Sequence, residues 1–300
     1  MRLASVALPS VKLSSRSPAD ESIMSLLDEL TEAQSMPHGL VNYRSGAGVA
    51  LICLQNEPAN GYSHEMMLDL DQAILRARFD DGVQVLLLVG AGEKFFCAGA
   101  DINVLKGITP TYKYQFCLHA NETMLRLEHT PKLVIAGLGG HCVGGGLEIA
   151  LACDLRIARA GSGKCGLPEV HLGVLPGTGG TQRLSRIVGA SRAIELMASG
   201  RTFGFDEALS LGLVDEVRPA DNEGEFVESL LEYAQTFTSP NRASMAVGMI
   251  KRAVKSGMEV PLESGLALER EMQQRLFASE DAREGMDAFT NKRKPDFQGR

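Results

Sequence analysis

Apolar residues recur along the chain in two patterns, short continuous runs and helical spacing. The runs at Val49–Leu54 and at residues 83 to 89 are typical of strands buried on both faces. Between them Ser63, a residue that favours helix N-caps, precedes apolar residues at helical spacing: Met66, Met67, Leu70, Ile74 and Leu75. The pattern therefore predicts a strand, a helix and a second strand.

The same alternation returns twice further along the chain. A helix over residues 115 to 128 is predicted before a strand at 133 to 137. A glycine-rich turn then opens a helix near Gly145, ahead of a strand at 155 to 158. Repeated units of strand and helix predict an α/β fold.

From Ser191 onward the pattern predicts helices alone. Ser191 is expected to cap a helix over 194 to 198 that Gly200 closes, and Asp206 to cap a short helix. Ser239-Pro240 is expected to start a helix running to about residue 255, followed by helices at Leu262–Phe277 and 281 to 289. Methionines at helical spacing in this part predict core or subunit contacts rather than a cofactor site.

Three regions follow from these patterns. Residues 1–37 form an N-terminal extension, 38–235 an α/β core and 236–300 a helical C-terminal region. The extension is Ser-rich, and its first acidic residue is Asp20. Mitochondrial transit peptides share those features but are richer in arginine, so a local packing role in a cytoplasmic protein is favoured over a mitochondrial matrix location.

Composition excludes several function classes. A net charge of −7 disfavours nucleic acid as a partner, because phosphate binding depends on a basic surplus. The apolar runs are far shorter than the roughly 18 residues that span a bilayer, so no membrane association is expected. The six cysteines include no C-x-x-C pair, which indicates a reducing compartment.

Motifs for metal, nucleotide and serine-hydrolase chemistry are incomplete. The zincin-like start at His64-Glu65 lacks its second histidine, since Leu68 stands there, and no metal site is expected. Neither glycine-rich run completes G-x-G-x-x-G, and no serine lies in G-x-S-x-G.

Candidate chemistry concentrates in residues 96 to 101 (FCAGAD), 144 to 148 (GGGLE) and 168 to 180 (PEVHLGVLPGTGG). Small residues in the first let a ligand approach backbone N–H groups, and the second leads glycines into a helix whose free N–H groups favour an anion. Close packing at strand–helix turns is the alternative. Glu148 and Glu169 are acids in apolar surroundings, which predicts an acid/base pair if the two segments converge.

These segments resemble the crotonase (enoyl-CoA hydratase/isomerase) superfamily over about residues 46 to 297. The matches are FCAGADI at 96 to 102, GGGLEIA at 144 to 150 with Cys153-Asp154, the segment from Pro168-Glu169 to Leu184, and FTNKRK with Pro295-Asp296-Phe297 near the C-terminus. The resemblance implies a spiral of ββα repeats with C-terminal helices that form trimers, often paired into hexamers.

The resemblance also implies an acyl-CoA site. The N–H groups of Ala100 and Gly145 would hold the thioester oxygen, and that of Gly177 a water molecule. Further contacts to CoA or the acyl chain fall on residues from both ends of the chain: Ala98, Asp101, Ile102, Leu105, Phe289 and Lys292. CoA is then part of the substrate, and no metal or redox cofactor is required.

The implied reaction is addition of water across a 2-enoyl thioester, with Glu148 as base and Glu169 as acid, although a coupled pair leaves that order open. Isomerisation, decarboxylation or thioester hydrolysis on the same enolate are alternatives, as is a non-catalytic RNA-binding role. Residues 104 to 116 are expected near the acyl chain, with Leu105, Tyr112, Tyr114 and Phe116 as candidates.

The chain departs from the usual family pattern at two places. Gly61 stands where alanine is common, and Gly139-Gly140-His141-Cys142 replaces the usual Asn-Gly pair. Neither change removes a reacting group, and we expect His141 to be structural rather than catalytic.

Overall fold

The structure, a computed structural model, describes residues 25 to 300, without the side chains of 103 and 104. Most of the predicted N-terminal extension therefore lies outside the described residues. Within this part of the chain eleven strands form two sheets: β1 Gln34–Ser35, β2 Val41–Gly46, β3 Val49–Leu54, β4 Val85–Gly90, β5 Phe95–Cys97, β6 Leu133–Leu138, β7 His141–Val143, β8 Leu155–Arg159, β9 Lys164–Gly166, β10 Phe203–Gly204 and β11 Glu216–Arg218.

From β4 to β9, consecutive strands go alternately to the two sheets. The larger sheet has the order β1-β2-β3-β4-β6-β8-β11, and β3 to β11 run parallel in it. The smaller sheet has the order β10-β9-β7-β5, in which β5, β7 and β9 are parallel. Each pair β4/β5, β6/β7 and β8/β9 contributes one strand to each sheet before a helical segment follows. This is the predicted ββα repeat.

The strands are joined and covered by twelve helices among the described residues: α1 Leu26–Glu29, α2 His64–Phe79, α3 Ile102–Gly107, α4 Pro110–His129, α5 Gly145–Ala152, α6 Gly180–Val188, α7 Ala190–Ser199, α8 Phe205–Ser210, α9 Glu223–Gln235, α10 Ser244–Gly257, α11 Leu262–Phe277 and α12 Glu280–Thr290. A short 3-10 helix, Glu169–Leu172, lies between β9 and α6. No helix in residues 25 to 300 has the length and apolar composition needed to cross a bilayer.

Several helix ends differ from prediction. Helix α4 begins at Pro110, five residues before the predicted start, and the Thr109 side chain caps it by accepting from Tyr112 N. The prediction that Ser239-Pro240 starts a helix is wrong, because α10 begins at Ser244 and the Ser239 N–H instead donates to the Gln84 side chain. Gly189 and Gly204 rather than Ser191 and Asp206 precede α7 and α8.

Helix α10 is joined to the core by a buried ion pair. Lys251 Nζ on α10 lies 2.8 Å from Asp154 Oδ2 at the end of α5, and both side chains are nearly inaccessible to solvent. Exposed faces of α10 and α11 carry large apolar side chains, among them Ile250, Val254, Leu262 and Phe277. The predicted trimer or hexamer stays a prediction that such faces suit.

Candidate active site

Two backbone segments approach each other so closely that only glycine fits between them. Gly99, just after β5, has φ +85°, and a Cβ on it would lie 2.8 Å from Gly145 N. A Cβ on Gly146 would lie 2.0 Å from Cys97 O. Both distances are below any real Cβ contact, so the end of β5 and the start of α5 meet only because these positions lack side chains.

This approach brings two backbone donors to one cavity. Gly145 is the first residue of α5, so its N–H has no acceptor within the helix and lies at the positive end of the helix dipole. Ala100 lies on the opposite segment, paired with Tyr62 in an isolated parallel bridge. Both residues line the cavity. Their N–H groups are suited to stabilise a developing oxyanion.

Glu148 lies one turn into α5 and is only 1% exposed. Its Oε1 accepts hydrogen bonds from Thr178 N at 2.8 Å and Gly180 N at 2.7 Å. Its Oε2 accepts from the Thr178 hydroxyl. These three hydrogen bonds orient the carboxyl group, which as a carboxylate can remove a proton from water.

Glu169 begins the 3-10 helix and lines the same cavity. Burial, with a smaller contribution from the charge of Glu148, raises its pKa to about 7. Its Oε2 is buried and has no hydrogen-bond partner among the described residues. A carboxyl group with this pKa and a free oxygen can donate a proton near neutral pH.

The two acids share one cavity of about 670 Å³ with the backbone donors. A volume of this size suits a small acyl group rather than a macromolecule. The lining is mainly apolar, with a few polar groups: Tyr62, Ala98, Gly99, Ala100, Ile102, Leu105, Lys106, Ile108, Thr109, Pro110, Lys113, Gly144, Gly145, Glu148, Pro168, Glu169, His171, Leu172, Val174, Leu175 and Gly177. A carboxylate, a carboxylic acid and two N–H donors around it suit proton transfer to and from a carbonyl compound.

Most of the predicted site residues meet in this cavity. Eight of them line it: Ala98, Ala100, Ile102, Leu105, Gly145, Glu148, Glu169 and Gly177. Asp101 lies next to it and is exposed. Phe116 lies behind the cavity, where its ring stacks on Tyr62 with centroids 5.5 Å apart. Tyr112 and Tyr114 are exposed and do not line it.

Phe289 and Lys292, at the end of α12, are exposed and do not line the cavity. Their predicted contact with CoA stays a prediction. His141 is structural, as expected, because its Nδ1 accepts from Lys164 N at 3.1 Å and its ring packs against Phe95.

Sequence reasoning missed Tyr62 and Thr178. The buried Tyr62 hydroxyl lies 3.2 Å from Thr178 Oγ1, which in turn donates to Glu148. The two residues are 116 positions apart, so no local pattern links them. A usable signal was a hydroxyl residue inside the PGTGG segment, beside a predicted acid.

Comparison with known proteins agrees with this geometry. A sequence model of the family described as enoyl-CoA hydratase/isomerase matches residues 44–300. A probable enoyl-CoA hydratase of Bacillus subtilis is 38% identical over 84% of this chain and 95% of its own. A short-chain-enoyl-CoA hydratase of Clostridium acetobutylicum is 38% identical over 82% of this chain and 92% of its own.

Solved structures agree as well. The chain superposes on an enoyl-CoA hydratase of Geobacillus kaustophilus with a TM-score of 0.83 and 45% identity, covering 87% of this chain and 97% of that one. The architecture is the crotonase fold. The chain belongs to the enoyl-CoA hydratase/isomerase family, within the crotonase superfamily.

Proposed function

We propose that this protein adds water across the double bond of a 2-enoyl-CoA to give a 3-hydroxyacyl-CoA. The observation that carries the proposal is the contrast between two glutamates in one cavity. The Glu148 carboxyl group accepts three hydrogen bonds that orient it, whereas the pKa of Glu169 is raised to about 7 by burial. One acid is suited to take a proton and the other to give one.

In the proposed reaction the thioester oxygen accepts hydrogen bonds from the N–H groups of Ala100 and Gly145. Glu148 takes a proton from water while the water oxygen bonds to C3 and the π electrons of the double bond move toward the thioester oxygen. The enolate then collapses as Glu169 gives its proton to C2. The sum is addition of one water, and a proton passed from Glu148 to Glu169 through solvent resets the pair.

Each of these groups makes its own contribution to the reaction rate. A fixed oxyanion donor typically contributes about 10²–10³ in rate, because it is in place before charge develops. General acid or base assistance typically contributes about 10²–10⁴. Gly177 lines the same cavity, next to the Thr178 N–H that holds Glu148, which suits the proposed role of its N–H in holding the water.

Double-bond isomerisation is the second candidate, favoured by the unpartnered Oε2 of Glu169. A single carboxyl group that takes a proton from C2 and returns it to C4 is enough to move a double bond from C3–C4 to C2–C3. Under this alternative, changing Glu148 to Gln leaves a 3-enoyl-CoA isomerase largely intact, whereas changing Glu169 abolishes it.

The test follows the loss of the conjugated enone absorbance of crotonyl-CoA, then of bulkier 2-enoyl-CoAs. We expect rapid loss with the wild type and a fall in kcat of about 10²–10⁴ in both Glu148→Gln and Glu169→Gln. Glu263→Gln, an exposed glutamate at the start of α11, is the matched control and should be unchanged. Binding of CoA esters without any loss of absorbance in the wild type would contradict hydration.

A further inference from the structure

The Glu148 carboxylate is the end of a buried chain of hydroxyl groups. Tyr62 is 3% exposed and Thr178 fully buried, and their oxygens lie 3.2 Å apart. The Thr178 oxygen also contacts Glu148 Oε2. Tyr62 lies in the loop before α2, Thr178 lies in the loop before α6, and Glu148 lies in α5 itself.

The direction of this chain follows from the charge of Glu148. In the carboxylate form of Glu148 neither oxygen can donate, so Thr178 must use its hydroxyl proton to donate to Oε2. The Thr178 oxygen is then free only to accept, so the Tyr62 hydroxyl donates to it. Burial and the Glu148 charge raise the pKa of Tyr62 well above its usual value, which keeps it a donor.

Protonation of Glu148 on Oε2 would give these three side chains one proton too many. Glu148, Thr178 and Tyr62 would each carry a hydroxyl proton, but only two oxygen–oxygen contacts join them among the described residues. One of the three protons would lack an acceptor inside a buried site. A buried donor without an acceptor carries a desolvation cost, so the chain opposes protonation of Glu148.

We propose that Tyr62 and Thr178 are positioning residues that hold Glu148 as an oriented base, with Tyr62 acting through the Thr178 hydroxyl. This inference rests on the proposed hydration and deepens it. The Tyr62 ring has a second contact, since a Cβ on Gly145 would lie 1.9 Å from it. Tyr62→Phe keeps that packing and removes the hydroxyl alone.

The other ionisable groups around these three side chains are unchanged in Tyr62→Phe. Cys97 of β5 and Cys117 of α4 lie close to Tyr62, and Glu169 lies across the cavity with Lys113 of α4 beside it. Arg183 of α6 donates to Thr178 O at 3.2 Å. A change in pH dependence in Tyr62→Phe therefore reports the lost hydroxyl and not one of these groups.

The test compares Tyr62→Phe, Thr178→Ala, Thr178→Ser and the double variant Tyr62→Phe/Thr178→Ala with the wild type. We expect kcat to fall about 3- to 10-fold in Tyr62→Phe and about 10- to 100-fold in Thr178→Ala, with KM little changed, because one loses a neutral hydrogen bond and the other a bond to a charge. Thr178→Ser should recover most of the rate. Tyr43→Phe, a buried tyrosine in β2, is the matched control.

Two results decide between positioning and simple packing. The double variant should be no slower than Thr178→Ala, since Tyr62 acts through that hydroxyl. The acidic limb of the kcat/KM profile should move up by about half a pH unit in Tyr62→Phe. Independent, multiplying effects with an unchanged acidic limb would overturn the proposal.

A readout without turnover separates this proposal from the proposed function. Infrared titration detects the carboxylate band of Glu148, identified by its loss in Glu148→Gln. We expect the midpoint of that band to rise in Tyr62→Phe whichever reaction the enzyme performs. An unchanged midpoint overturns the positioning role, whereas a raised midpoint in a protein that hydrates no enoyl-CoA contradicts only the hydratase proposal.

Discussion

The two walls of the cavity are built in opposite ways. The inner wall, formed by residues 98 to 100 and 144 to 148, consists largely of buried backbone, with glycines where segments touch. The outer wall, formed by residue 102, by residues 105 to 110 and by residues 170 to 175, presents partly exposed apolar side chains: Ile102 is 44%, Leu172 55% and Leu175 65% exposed.

This difference separates two tasks. The inner wall fixes the N–H donors and Glu148 before any substrate arrives, which is the condition for electrostatic stabilisation of a transition state. The outer wall makes few buried contacts and so can change its side chains without disturbing the fold. We expect reaction chemistry to depend on the first wall and acyl-chain preference on the second.

The largest effect should come from adding one methyl group to the inner wall. In Gly146→Ala the new Cβ would meet the Cys97 carbonyl oxygen at 2.0 Å, so α5 must move away from β5. A displacement of about 1 Å costs about 10²-fold in rate, and overpacking lowers stability by about 1–3 kcal/mol. Kinetics and thermal unfolding measure both.

The matched control lies on the outer wall. A Cβ on Gly107, at the end of α3, would meet nothing within 4 Å. Gly107→Ala should therefore keep the wild-type rate and melting temperature. Equal losses in the two variants would remove the distinction between the walls.

A smaller, pH-dependent effect should come from Glu169. Its pKa is raised to about 7, so the proton that it donates is present below that pH and lost as the pH rises through it. We expect kcat/KM for hydration to fall above about pH 7 by up to tenfold per unit. Lys113 lowers this pKa, so Lys113→Met should move the basic limb to higher pH. A limb that stays in place in Lys113→Met would assign it to another group.

The smallest effect should come from trimming the outer wall. Leu172 lines the cavity but is more than half exposed, so Leu172→Ala leaves the fold intact. We expect kcat/KM to change by about 3- to 10-fold in favour of longer or branched enoyl-CoAs, chiefly through KM, since about 1 kcal/mol of contact is lost. The same change for every chain length would argue against a role in specificity.

The sequence was most informative where local patterns decide structure. Strand β3 and helix α11 have the predicted bounds, because apolar runs and apolar spacing depend only on neighbouring residues. The start of α4 was missed because its first turn is exposed and polar, so the apolar spacing begins only at Phe116. Thr109-Pro110, a capping residue followed by proline, was the better signal.

The site residues likewise have some properties that the sequence predicted and others that it did not. Resemblance to the family located both glutamates and the two N–H donors, all of which line one cavity. It implied Glu169 as the acid but left the order of the pair open, and it gave no sign that burial raises the pKa of Glu169 to about 7 or that Tyr62 contacts Thr178. Both properties arise from segments far apart in the chain, where spacing carries no information.

The ion pairs between α10 and the core limit how far the protein can be shortened from its C-terminal end. Arg183 binds both Thr178 O and the Glu128 carboxylate, and Lys255 of α10 lies 3.9 Å from Glu128, beside the Lys251–Asp154 pair. A fragment ending at residue 235 would keep every lining residue of the cavity yet remove Lys251, the partner of Asp154, and expose the core surface that α10 covers. The smallest working unit of this enzyme is thus longer than its catalytic residues suggest.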